Sequence, residues 1–194
     1  MVEPLTDLHV DAVAKLHYNS LTGLLRDLGP GAIKAFYIGA IKSDCAIAFV
    51  VLEQEILQGF VFGSTRPQLL KQDVLKNNFV GTIVGTGLGV LRKPSTLISL
   101  WRSTRDTGER GYNDQVAELT YLAVNTKHRA AGLGQQLVNR FGQALVAQGI
   151  DAYELSVDAN NESAIRFYHR SGFFQVGEYQ EFGTNHLRYR LELS

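Results

Sequence analysis

Between Glu118 and Gln136 a strand-like run passes through a short basic turn into a run with helical spacing, and this junction constrains the chain more than any other segment. Val116 to Val124 is β-compatible. Leu133, Leu137, Phe141, Ala144 and Leu145 then recur at helical spacing, with Gln135, Gln136, Asn139, Arg140 and Gln143 on the other face. Gln148-Gly149 supplies the C-terminal glycine that ends such a helix. The junction reads Arg129-Ala130-Ala131-Gly132-Leu133-Gly134. A glycine-containing turn that opens a helix aims several backbone N–H groups, and the positive end of the helix dipole, at one spot. That spot suits a pyrophosphate.

Two common phosphate loops are excluded. A P-loop requires Gly-Lys followed by Ser or Thr, and here Gly134 is followed by Gln135 and Gln136. A dinucleotide loop requires a third glycine three positions on, and that position is Leu137. A second motif lies downstream. Tyr153, Leu155 and Val157 alternate with Ala152, Glu154 and Ser156 as in a strand. Asp158-Ala159-Asn160-Asn161, Ala164, Phe167, Tyr168 and Ser171-Gly172-Phe173 follow. Arg-x-x-Gly-x-Gly resembles the acyl-CoA loop of the GNAT N-acetyltransferase superfamily. Asn161, Ala164, Phe167, Tyr168, Gly172 and Phe173 match that superfamily's second motif in order and spacing. The resemblance covers about residues 115–175.

The resemblance implies acetyl-CoA as acyl donor and assigns residues to it. Leu122, Ala123 and Val124 would pair by backbone with the pantetheine arm. Arg129, Ala130, Ala131, Gly132, Leu133, Gly134 and Gln135 would bind the pyrophosphate, the two glycines admitting it where a Cβ would intrude. Asn161 would contact the cofactor, and Tyr168 would lie near the thioester sulfur. Plainer roles stand beside these. Leu122 and Val124 also suit a core, Asn161 suits a helix N-cap, and Tyr168 suits a packed helix aromatic with its hydroxyl at the surface.

Acyl transfer to an amine needs a base to free the amine, a donor for the oxyanion and a proton for the leaving thiolate. A backbone N–H of the cofactor strand serves as oxyanion donor, and Tyr168 as acid. Glu118 is the base candidate, placed by strand alternation on one face with Thr120 and Leu122; the alternative is a strand-end carboxylate in water or in an ion pair. His128 lines the phosphate or faces solvent. His17, His169 and His186 have no motif around them and read as structural or surface residues. The single cysteine, Cys45, sits by an apolar run without metal-ligand spacing, as a buried strand cysteine does.

With 194 residues, one domain spanning 1–194 is expected. Lys plus Arg equals Asp plus Glu at 19 each, which leaves no nucleic-acid footprint. Met1 to Asp11 lacks a signal peptide, and the longest apolar stretch, Phe79 to Leu91, is too short to span a bilayer. A cytoplasmic protein without a membrane span is expected, with one cysteine suiting a reducing compartment.

Helices are predicted over 7–18, 21–28 and 33–41, with a break at Gly29-Pro30-Gly31. Strands are predicted over 45–53 and 56–64, turning at Glu53-Gln54-Glu55, and lying beside the cofactor strand. An insertion at about 66–113 follows. It reads as helical over 69–79, glycine-rich over 79–91, a short helix over 94–101 and a charged loop over 102–110. Its roles are a lid over the acceptor site, a dimer contact, a membrane-surface patch or extra packing. Phe173 to Phe182 and Leu187 to Leu191 close the chain as a hairpin across Gly183-Thr184-Asn185.

The expected fold is α/β, a mixed and mostly antiparallel sheet flanked by helices and splayed at the cofactor strand. The expected reaction is transfer of an acetyl group from acetyl-CoA to the primary amine of a small molecule, such as an amino sugar or amino acid. A protein N-terminus or lysine as acceptor, and a non-catalytic acyl-CoA-binding module, are the alternatives. Monomer and homodimer both stay open.

Overall fold

The computed structural model describes residues 1–74, 76, 116–125, 132–181 and 183–193. The expectations for 79–91, 94–101 and 102–110, and those for His128, Arg129, Ala130 and Ala131, lie outside the described residues.

The element order is β1 (Val2–Pro4), a 3-10 turn (Asp7–His9), α1 (Val10–Ser20), α2 (Leu24–Asp27), α3 (Pro30–Ala40), β2 (Ala46–Glu53), β3 (Ile56–Ser64) and α4 (Pro67–Val74). Further along the chain come β4 (Ala117–Val124), α5 (Leu133–Val146), β5 (Ala152–Asp158), α6 (Glu162–Arg170), β6 (Phe174–Glu181) and β7 (Thr184–Glu192). The Gly29-Pro30 break signal marks the start of α3, not a gap before it. Pro30 occupies the first turn, where its missing N–H costs nothing, and Gly29 precedes it at φ +94°. The closing hairpin is tighter than predicted, because β7 begins at Thr184.

Seven strands form one sheet in the order β1-β2-β3-β4-β5-β7-β6. Every neighbouring pair is antiparallel except β4 with β5, which is parallel. This is the mixed, mostly antiparallel sheet that the sequence implied. Each face carries its own core. On one face α5 and α6 cover the sheet, and Leu137, Val138, Phe141, Leu145 and Tyr168 pack on Val61, Leu119, Tyr153 and Leu155. On the other, α1, α3 and α4 bury Val10, Val13, Ile33, Tyr37, Leu70 and Val74 against Val50, Phe60, Phe62 and Ala123. Strands buried on both sides read as near-continuous apolar runs. That is why Ile47 to Leu52 and Phe60 to Phe62 lack a polar face.

Two irregularities in β4 position the site. Phe62 pairs with Tyr121 while Gly63 pairs with Leu119, so Thr120 is an extra residue bulged out of the ladder. A bulge bends its strand and sharpens the local twist. On its other edge β4 pairs with β5 at Ala117↔Tyr153 and Glu118↔Glu154, and the register goes no further. From Leu119 onward the two parallel strands diverge, and the sheet opens into a V whose apex is Glu118 and Glu154.

Candidate active site

The bulge at Thr120 reverses the alternation of β4. Ala117 and Leu119 lie in the core beneath α5, whereas Tyr121 and Ala123 lie in the core beneath α1 and α3. Leu122 and Val124 return to the α5 side. Glu118 therefore shares its face with Tyr121 and not with Leu122, which corrects the expectation drawn from simple alternation. The extra residue shifts the phase of everything after it by one. Leu122 and Val124 pack against the α5 core and Ala123 is buried in the opposite one, so the side chains of this end of β4 are core residues. Their backbone along the opened edge is what faces the V.

The N-terminus of α5 stands at the end of this strand. An ideal Cβ on Gly134 would lie 3.3 Å from the Phe167 ring of α6 and 3.9 Å from Val124. The missing side chain of Gly134 thus lets α6 pack on α5. Gly132 opens the helix. It is the N-cap of α5 at φ +71°, a left-handed conformation, with open space where a Cβ would point. Among the described residues no side chain caps α5, and the first intrahelical bond is Gln136 N–H to the Gly132 carbonyl at 3.1 Å. The N–H groups of Leu133, Gly134 and Gln135 have no acceptor within the helix. The Gln135 side chain is committed elsewhere: Nε2 donates to Asn139 at 2.8 Å, and Oε1 accepts from Ser171 at 2.7 Å.

Helix α6 is the contrast. Asn161 caps it, its Oδ1 accepting from Ala164 N–H at 3.2 Å and from the Ser163 hydroxyl at 3.1 Å. Of the two roles open to Asn161, the capping role is visible in the geometry. The N-terminus of α6 is thus satisfied by its own side chain, whereas that of α5 has no side-chain cap among the described residues.

Tyr168 projects from α6 into the core on the α5 side, 8% exposed, edge-on to Phe167 and Phe173. Burial pushes its phenol well above the ordinary tyrosine range, so it carries its proton at neutral pH. Nearby, Tyr153 of β5 is completely buried with a hydroxyl that has no hydrogen-bond partner among the described residues.

Glu118 lies on the opposite face of the sheet, 8% exposed, with Arg188 Nη2 3.9 Å from its carboxylate. Arg188 Nε donates to Glu154 at 2.5 Å, and Arg190 Nη1 stands 3.6 Å from the other Glu154 oxygen. The ion-pair alternative for Glu118 is therefore present, in a buried form. Tyr121 is beside it. Burial first, then the carboxylates of Glu118 and Glu181, push the Tyr121 phenol upward. Glu154, Glu181 and Arg188 did not emerge from the sequence. The available signal was a charge inside an apolar strand, Tyr153-Glu154-Leu155 and Leu187-Arg188-Tyr189, where a buried ion has to find a partner.

His17 is fully buried, with Nδ1 2.8 Å from the Tyr37 hydroxyl. His169 lies 3.1 Å from the Tyr189 hydroxyl, and His186 stacks on Tyr179. Cys45 is buried just before β2. Among the described residues, no helix is long and apolar enough to cross a membrane.

Comparison with known proteins adds to this geometry. A family model described as the acetyltransferase (GNAT) family matches residues 34–173. The chain is similar to mycothiol acetyltransferase of Beutenbergia cavernae, 31% identical over 87 residues, which are 45% of this chain and 27% of that protein. It thus spans about a quarter of that relative's length. Its fold is similar to ribosomal-protein-alanine N-acetyltransferase from Brucella melitensis, with TM-score 0.63 and 12% identity over 100% of this chain and 99% of that one. It is likewise similar to yncA of Salmonella typhimurium, solved with its cofactor acetyl-CoA, with TM-score 0.63 and 14% identity over 100% of this chain and 94% of that one.

Proposed function

The chain belongs to the GNAT acetyltransferase family, and from that premise we propose that it transfers an acetyl group from acetyl-CoA to a primary amine in a direct ternary complex. The observation that carries the reading is the N-terminus of α5, opened by the left-handed Gly132 with no side-chain cap among the described residues, at the end of a strand that splays from its parallel neighbour. The free N–H groups of the first turn suit a pyrophosphate, together with the residues 129–131 that precede them in sequence. The opened edge of β4 beyond Glu118 offers backbone donors and acceptors to an extended pantetheine arm.

The chain's own groups then divide the chemistry. Tyr168 holds a proton on the α5 side and supplies it to the departing thiolate. Glu118, at the apex and on the opposite face, takes the proton of the attacking amine, directly or through water. A backbone N–H beside the Thr120 bulge donates to the oxyanion. Acid and base stand on opposite faces of the sheet, and the gap between β4 and β5 lets donor and acceptor approach from opposite sides.

The acceptor we favour is the amine of a small molecule. The relative at 31% identity is named for mycothiol, a small-molecule reading, whereas the likeness to an enzyme acting on a ribosomal protein rests on fold alone. We place the reaction in the cytoplasm, in keeping with a buried, unpaired Cys45.

The test begins with thermal unfolding. Acetyl-CoA at about a hundred times its Kd should add about 2.7 kcal/mol to native-state stability. That raises the midpoint by roughly 5–10 °C, while ATP leaves it in place. Thiol release from acetyl-CoA, followed across a panel of amines, amino acids, amino sugars and N-terminal peptides, then ranks the acceptors. No shift with any CoA species sinks the reading. A shift without amine-dependent thiol release favours a binding module instead.

A further inference from the structure

The two helices of the site are fastened to each other beside the glycine turn. Ser171 is the C-cap of α6, and its hydroxyl donates to Gln135 Oε1 of α5 at 2.7 Å. Gln135 lies in the first turn of α5, one residue past Gly134, and the Phe167 ring of α6 packs 3.3 Å from where a Gly134 Cβ would stand. The turn proposed to hold the pyrophosphate is thus joined to α6 both by packing and by a hydrogen bond. Tyr168, the proton donor of the proposed reaction, sits on α6 one turn before Ser171. We infer that Gln135 and Ser171 are positioning residues that form a clip. The clip fixes the separation between the phosphate-binding turn of α5 and Tyr168, so that a donor anchored by its pyrophosphate presents its sulfur to the phenol. The inference rests on the cofactor and acid roles proposed above.

Both ends of the clip are held in place. Helix α6 closes in a Schellman motif. The Phe173 N–H donates to the Tyr168 carbonyl at 3.0 Å and the Gly172 N–H to the His169 carbonyl at 3.1 Å, with Gly172 left-handed at φ +91°. The apolar contact that accompanies such a motif is Phe173 on Tyr168, their rings 5.4 Å apart. Ser171 stands inside this closure, so its position relative to Tyr168 is set. The Phe167 carbonyl, 3.0 Å from the same hydroxyl, keeps that hydroxyl over the end of α6. At the other end Gln135 Nε2 donates to Asn139 Oδ1, one turn along α5, at 2.8 Å, which orients the amide with Oε1 toward Ser171. Gln135 thereby keeps its backbone N–H for an anion while its side chain reaches α6. An extended pantetheine arm has a set length, so an acid that meets its sulfur has to stand at a set distance from the pyrophosphate anchor. A misplacement of about 1 Å can cost on the order of 10²-fold in rate. Helices α5 and α6 are separated in the chain by the whole of β5, so neither helix alone sets that distance.

The test compares two donors. S-acetylpantetheine carries the thioester on the same arm but has no pyrophosphate, so its sulfur is not held from α5. In S171A, kcat with acetyl-CoA should fall about tenfold or more. Acetyl-CoA affinity by calorimetry should stay within about threefold of native, because the anchoring N–H groups remain. With S-acetylpantetheine, kcat/KM should stay within about twofold of native, since that donor has no remote binding energy to spend on alignment. Q135M should repeat this pattern, and S171A/Q135M should be no worse than the slower single variant, as expected for two ends of one bond. Equal losses with both donors would mean that Ser171 only shapes its own helix end, and would overturn the inference. So would unchanged acetyl-CoA turnover in S171A, or additive losses in the double variant. If S171A does not fold, Q135M decides by the same comparison. Failure of the proposed function reads differently: the native protein itself would bind no acetyl-CoA or release no thiol with any amine, and the inference would fall with it.

Discussion

At the residue scale the two motif positions most alike in sequence terms separate cleanly. Asn161 and Tyr168 both belong to the second motif, and each carried a plain and a chemical role. Asn161 spends its Oδ1 on the Ala164 N–H and Ser163 hydroxyl, as a cap. Asn161→Ala should therefore destabilise the protein by about 1 kcal/mol in urea unfolding. Acetyl-CoA affinity should change little by calorimetry, and a large loss there would return Asn161 to the cofactor. Tyr168 is held inside the α5 core with its proton retained. Tyr168→Phe keeps the ring and removes the proton, so turnover should fall on the order of 10²-fold or more while acetyl-CoA affinity holds. Steady-state kcat beside a calorimetric Kd checks the split, and equal turnover removes Tyr168 from the mechanism. The caps and aromatics were legible because they act locally. Arg188 was not, because its partners lie 34 and 70 residues away in the chain, and only the folded sheet brings them to it.

At the element scale the strands and helices follow their sequence signals closely, and the exception is instructive. The run from Ala117 to Val124 reads as one uninterrupted strand, yet Thr120 is bulged. Nothing in Leu119-Thr120-Tyr121 forces a bulge. It arises because Leu119 and Tyr121 must fill cores on opposite faces, a demand set by the rest of the molecule. Simple alternation therefore placed Glu118 on the wrong face relative to Leu122. The bulge also yields a sharp expectation. Deleting Thr120 leaves Glu118 and Tyr121 facing one core and Leu119 and Leu122 facing the other, so the burial pattern survives a regular ladder. The deletion variant should fold, with far-UV circular dichroism like that of the native protein. With β4 unbent, the V should narrow, and acetyl-CoA should lose affinity at least about tenfold in calorimetry, equivalent to roughly 1.4 kcal/mol. Native affinity in a folded deletion variant would show that the bulge does not set the opening.

At the scale of the whole molecule, the resemblance carried the mixed sheet and its splay, but the pairing that creates the apex joins residues in two distant motifs and had no local signature. The same holds for the other core, where His17 became the hub of an aromatic cluster. It contacts Tyr37 by hydrogen bond, stacks on Phe60 and meets Tyr121 edge-on, tying α1 to α3, β3 and β4. Burial lowers its pKa from 6.5 to about 4, so the folded protein holds it neutral. A group held neutral in the fold and free to charge on unfolding makes stability depend on pH in one direction. Its contribution is complete above pH 6.5, is lost as pH falls toward about 4, and changes no further below that. The size is about 3 kcal/mol, taking 1.36 kcal/mol for each unit. His17→Gln removes the titration while keeping a polar side chain near Tyr37. The variant should be less stable than the native protein at pH 7, because the ring contacts are gone. Between pH 6.5 and 4 it should lose about 3 kcal/mol less than the native protein does, in urea unfolding at a series of pH values. Parallel pH profiles for the two proteins would mean that His17 binds its proton equally well folded and unfolded, against its place in the core.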